Sequence, residues 1–181
     1  MQEPTLREMG RQKITRKEKC DYESVRKQHI FTTRFNNATW EENIKFRTDN
    51  NVKCAYFAPN PIPNRVQEGS ILFVLEMNNE TNRLMGLGLL KNKPHVCKYT
   101  AYKDNHYNRV TYLGSHHIQR EQIITKSDEM RQIWEDLEYF CFKGKGHLKR
   151  GRGMTSFPVA TLLNCNTKIN ITNILIELFQ K

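Results

Sequence analysis

The longest apolar run in the chain, Ile71-Leu-Phe-Val-Leu75, leads into a polar connection, Asn78-Asn-Glu-Thr-Asn82, and then into a second apolar stretch from Leu84 to Leu90. A strand-length apolar run followed by turn-forming residues predicts a β-hairpin whose first strand is covered on both faces. Gly86 and Gly88 alternate in the return strand, so both lie on one face and leave it without side chains. Such a face marks either a bend in a small barrel or a groove where a ring, a backbone or a ligand comes close. A dinucleotide-binding fingerprint does not fit, because the third glycine is missing and Gly86-Leu87-Gly88 lies inside an apolar strand.

The remaining pattern surrounds this hairpin with short elements. His29 to Phe35 is β-branched and aromatic enough for a strand. Thr39, with Glu42 three residues on, has the spacing of a capping box and predicts about two helical turns from Trp40 to Phe46, with Trp40, Ile44 and Phe46 toward the sheet. Val52 to Phe57 predicts a second strand, ended by Pro59, Pro61 and Pro63. Alternation along it pairs Tyr56 with Cys54 and Phe57 with Ala55, so one ring is expected in the core and the other, Tyr56, in a cavity. Beyond the hairpin, Val96 to Tyr102, Arg109 to Leu113 and His117 to Arg120 read as strands. Met130, Ile133, Trp134, Leu137 and Phe140 or Cys141 recur at helical spacing behind Thr125 or Ser127. Pro158 suits the first position of a short helix through Leu163, and Ile169 to Phe179 predicts an amphipathic helix packed on the barrel.

Composition narrows the class. A chain of 181 residues holds one domain with a real core. Residues 1–28, with Arg7, Arg11, Lys13, Arg16, Lys17, Lys19, Arg26 and Lys27 and few large apolar residues, read as a basic arm. Residues 29–181 read as a single α+β domain, a small mixed or antiparallel β-barrel with peripheral and C-terminal helices. The net charge of +10 favours a polyanionic partner. Five scattered cysteines without a Cys-x-x-Cys pair argue against a disulfide framework and against a structural zinc site. No run is long enough to cross a bilayer, so an intracellular protein without a membrane partner is expected.

Candidate chemistry centres on Lys143-Gly-Lys-Gly-His-Leu-Lys-Arg-Gly-Arg-Gly153. Lys143, Lys145, Lys149, Arg150 and Arg152, with His147, present cations to phosphates, while the glycines let backbone N–H groups approach. A P-loop is excluded, since Gly146-x-x-x-x-Gly151 is followed by Arg and Gly where Lys and Ser or Thr are required. His116 and His117 are adjacent on a strand, point to opposite faces and cannot chelate a metal as a pair. No metal and no cofactor is expected. Aromatic rings interleaved with a basic surface suit single-stranded nucleic acid, RNA ahead of DNA, and Trp40, Tyr56, Gly86 and Gly88 are the candidate pocket for one base. The expected function is nucleic-acid binding without catalysis. Its alternatives are an enzyme acting on nucleic acid, with His147 or His117 as general acid or base, and a structural protein of a viral or ribonucleoprotein particle.

From Ile30 to Leu90 the order strand, short helix, strand, loop, and hairpin with Gly-x-Gly in its return strand resembles the PUA-like group of small β-barrels, in particular the YTH and EVE reader domains that bind a modified base. The resemblance implies that Tyr56, in Cys54-Ala-Tyr-Phe-Ala-Pro59, occupies the position of a cage tryptophan in the YTH family. The wording Phe73-Val-Leu-Glu-Met-Asn-Asn79, with the strong use of Asn, Lys and Ile, is similar to proteins of large eukaryotic DNA viruses, which would imply an infected cell or a virion as its location.

Overall fold

The structure, a computed structural model, describes residues 29–96, 98–164 and 170–180. The expected arm over residues 1–28 and the start of the last helix at Ile169 lie outside the described residues. His29–Ser156 forms one compact unit, and the described residues from Phe157 onward belong to a second.

The larger unit is mixed α+β, with one five-stranded and one three-stranded sheet. In the first sheet, β3 (Ile71–Asn78) lies between β1 (His29–Phe35), which runs parallel to it, and β4 (Arg83–Lys91), its hairpin partner. Being internal, β3 is apolar on both faces, as its unbroken run implies. The outer strands are β7 (His116–Gln119) against β4 and β8 (Thr155–Ser156) against β1. In the hairpin turn, Asn78 Oδ1 accepts the N–H groups of Glu80 and Thr81, and Asn82 adopts a left-handed φ of 54°. A bulge between Glu76 and Met77 shifts the register.

The second sheet pairs β2 (Cys54–Ala58) and β5 (His95–Val96) with β6 (Val110–Gly114). The strand expected from Val96 to Tyr102 is confined to His95–Val96. Asn108 explains the difference. Its Oδ1 accepts the N–H groups of Ala101 and Tyr102, and its Nδ2 donates to Tyr102 O, so a side chain satisfies the backbone that a neighbouring strand would otherwise pair.

Helix α1 (Asn37–Asp49) begins earlier than its pattern implies. Asn36 is the cap: its Oδ1 accepts Thr39 N–H while Thr39 Oγ1 accepts Asn36 N–H, so Thr39 takes the third helical position, where the pattern expects Glu42. The inward residues are Asn43, Phe46 and Arg47, and Ile44 is 43% exposed. The helix therefore meets the sheets with polar groups, Asn43 Nδ2 donating to Ala55 O.

A short helix α2 (Arg120–Ile124) precedes α3 (Asp128–Phe142), capped by Ser127 and buried along Trp134, Leu137, Cys141 and Phe142. Glu138 Oε1 accepts Leu84 N–H and Trp134 Nε1 donates to Leu84 O, which satisfies β4 beside its bulge. The second unit holds α4 (Val159–Asn164) and α5 (Ile171–Phe179), the latter capped by Asn170 and burying Ile171, Thr172, Leu175 and Leu178.

Candidate nucleic-acid interface

Glu76 is the one acid in β3, and it is fully buried. The Tyr56 hydroxyl donates to its Oε1 at 2.9 Å and Arg47 Nη1 stands 3.4 Å from the same oxygen. His117 Nε2 lies 2.8 Å from Oε2, and because a carboxylate only accepts, that nitrogen carries the hydrogen. Burial works against the Glu76 charge, but the hydrogen bond and attraction of His117, with Arg47 and Tyr56, outweigh it and hold the carboxyl below its ordinary range. Burial, then the neighbouring Glu76 charge, pushes the Tyr56 phenol well above its usual value and the Cys54 thiol up to about 12.

The glycine face of β4 is filled by this cluster. A Cβ on Gly88 would lie 1.8 Å from the Tyr56 hydroxyl oxygen, and one on Gly86 would lie 2.9 Å from both Glu76 Oε2 and His117 Nε2. Tyr56, Gly86 and Gly88 are thus brought together, but around a buried carboxylate and not as an open slot. The ring that needs the bare face belongs to the protein itself. Tyr56 and Phe57 are both core, so no base stacks on Tyr56 here, contrary to the division expected between them. Trp40 lies apart from the glycines, half-buried, edge-on to Phe35 at 5.1 Å and beneath the Arg47 guanidinium at 5.0 Å. Glu76 escaped the sequence reading, although a carboxylate inside an apolar strand is a signal that it must find buried partners. Arg47 and Asn43 escaped for the converse reason, since helical polar residues are expected to face water.

A cavity of about 490 Å³ opens elsewhere, between the end of β1, the start of α1 and the 102–107 loop. That volume is typical of small-ligand sites. Phe35, Phe57, Tyr102 and Tyr107 line it with Asn36, Thr39 and Glu42 of the helix start, and Gly151 and Gly153 of the basic loop complete it. The loop is stitched down beside it. Arg34 Nε donates to Leu148 O at 2.6 Å and its Nη1 to Thr155 Oγ1 at 2.8 Å, while Asn79 Nδ2 donates to Lys149 O at 3.1 Å. Gly151 (φ 132°) and Gly153 (φ 64°) take conformations that side chains disfavour, and a Cβ on Gly153 would meet that of Ala58 at 2.9 Å.

Among the predicted phosphate ligands, Lys143, Lys145, Arg150 and Arg152 are exposed, and none forms an ion pair with a described residue. Lys149 is half-buried, its Nζ held by Asn82 Oδ1 at 2.8 Å. His147 is half-buried, with Nδ1 enclosed and unpartnered among the described residues. Arg150 and Arg152 flank Gly151 at the cavity, whereas Lys143 and Lys145 follow directly on α3.

No protein-family model, curated protein or solved structure matches the chain. Among the described residues no group of three or more His, Cys, Asp or Glu is placed to hold a metal ion, and no helix is long and apolar enough to cross a membrane.

Proposed function

We propose that this chain is a nucleic-acid-binding module, without catalysis of its own, that takes one unpaired base into the cavity beside α1 and holds the neighbouring phosphates on the loop from Lys143 to Arg152. One observation carries the reading: Gly151 and Gly153 line the same cavity as Phe35, Tyr102 and Tyr107. Arg150 and Arg152 therefore stand where the backbone of a nucleotide would run if its base lay against Tyr107, the half-buried ring of the wall, Phe35 and Tyr102 being buried. Stacking on aromatic faces combined with cations along the strand is how single-stranded nucleic acid is held without duplex geometry. Among the described residues the loop cations have no acidic partner to give up on binding. His117 serves the buried Glu76 and is not among the cavity residues, which favours a binder over an enzyme using that histidine.

The same reading takes the two sheets as a PUA-like barrel. Support comes from Gly114 at the end of β6, where a Cβ would lie 2.5 Å from Cys54 Sγ and 2.7 Å from Leu89 O, so β4 of one sheet runs hard against β6 of the other.

The test is fluorescence anisotropy with a labelled single-stranded RNA decamer over a range of salt, with the matching DNA as a second arm. Affinity should fall linearly in log–log form as salt rises, and replacing Arg150 and Arg152 together by Ala should flatten the slope by roughly 0.7 for each phosphate that is no longer neutralised. An unchanged slope would remove the loop from the reading, and no binding to either strand would remove the reading itself.

A further inference from the structure

We infer that the cavity selects guanine, with the carboxylate of Glu42 as the group that reads it; this rests on the reading of the cavity as a base site. Glu42 lies in the second turn of α1, half-buried, and lines the cavity. Burial above all raises the Tyr102 phenol on the same wall, with smaller contributions from the Glu76 charge and then that of Glu42. No hydrogen bond or ion pair joins Glu42 to another described residue.

Several other polar groups of the wall are already engaged. Arg34 is held by Leu148 O and Thr155, Asn36 Oδ1 by the cap, Asn79 Nδ2 by Lys149 O, and Asp104 Oδ1 accepts the His106 N–H. Asn79 Oδ1 is enclosed without a partner among the described residues and exposed Asp104 keeps its second oxygen, so Glu42 is the half-buried carboxylate of the wall with both oxygens unengaged, and the exposed ammonium of Lys103 also lines the cavity.

Two parallel acceptors call for two parallel donors. Among the four bases only guanine presents them on one edge, N1–H beside the 2-amino group, with the O6 acceptor next in line for a cation. Adenine and cytosine offer one amino group next to a ring nitrogen acceptor, which would face a carboxylate lone pair. Uracil offers one N–H between two carbonyls. A paired, charge-assisted contact of this kind discriminates by roughly 5- to 100-fold. A base edge that cannot match it leaves the carboxylate desolvated without a partner.

The experiment measures anisotropy of labelled uridine heptamers carrying G, inosine, A or C at the central position, bound to the full chain and to Glu42→Gln. For the unaltered protein the G heptamer should bind roughly 5- to 100-fold tighter than the A heptamer, with inosine, which keeps N1–H and O6 but lacks the amino group, in between. Glutamine offers one acceptor and one donor, a pattern matched both by adenine and by the O6 and N1–H of guanine, so in Glu42→Gln the G-to-A ratio should fall to about one. Equal affinity for all four heptamers, with salt dependence retained, overturns guanine selection and leaves nucleic-acid binding standing. A G preference that persists in Glu42→Gln overturns the role of Glu42. Absence of binding by every heptamer overturns both this inference and the reading beneath it.

Discussion

Tyr56 donates its hydroxyl hydrogen to Glu76 across 2.9 Å, and neither side chain meets solvent. Because the folded protein holds the Glu76 carboxyl below its ordinary value of 4.5, folding favours the charged form. The stability this contributes is complete above the unfolded-chain value and is lost as pH falls through the lower, folded one. Thermal unfolding from roughly pH 6 down to pH 2 should therefore show a steep acid limb in the natural chain and a shallower one in Glu76→Gln. Parallel limbs would mean that other carboxylates govern acid unfolding. Glu76→Ala, which strands Arg47 and His117 without their anion, should cost about 3–5 kcal/mol in urea titration.

Gly88 touches the same cluster from the other side. In Gly88→Ala the new methyl group must displace the Tyr56 ring or the β4 backbone, and the expected cost is about 1–3 kcal/mol or more. Introduced into a Tyr56→Leu background, which removes the clashing hydroxyl, Gly88→Ala should cost measurably less. Strict additivity in that double-mutant cycle would show that the two positions do not press on each other.

The loop cations should not behave alike. Lys149 is half-buried and held by Asn82, so Lys149→Ala should change the salt dependence of RNA binding less than Arg150→Ala, whose exposed guanidinium is free to meet a phosphate. Anisotropy at several salt concentrations separates them, and a larger slope change for Lys149 would contradict the assignment.

Tyr107 is the half-buried ring of the cavity, whereas Phe57 is buried in the core. Tyr107→Ala should lose about 1–3 kcal/mol of binding to single-stranded RNA with little change in urea midpoint. Phe57→Ala should instead lose about 3–5 kcal/mol of stability. If Tyr107→Ala leaves binding intact, the base does not stack there.

The hairpin, β1, β2 and α3 were legible as elements because apolar runs bounded by turn residues mark the strands and helical spacing marks α3, but β2 is buried on both faces where alternation implied one, and the α3 cap, open between Thr125 and Ser127 in sequence, is Ser127. The glycine face was legible as a close approach, but its occupant was not, since the ring that fills it belongs to β2, on the far side of a proline-rich loop and in the other sheet. Helix α1 misled because it buries Asn43 and Arg47 and exposes Ile44, an inversion visible only once Ala55 O and Glu76 are known to await donors. The cavity was illegible for a related reason. Its wall is drawn from β1, α1, β2 and three separate loops, none of which carries a local motif for it.

The pairing of β1 with β8 sets an order of events during synthesis. Thr32 and Thr155 share a hydrogen bond across 123 residues of chain, so one edge of β1 has no partner until almost the whole unit has left the ribosome. Its other edge is met sooner, by β3. For that interval a strand with Ile30, Phe31 and Phe35 offers bare amide and carbonyl groups to any neighbouring nascent chain, a known hazard of late-paired edges. Two residues of β8 are a small closure for so long a wait. Slowing translation at any point between the codon for Asn78 and the emergence of β8 from the ribosome should therefore lengthen exposure to chaperones and aggregation.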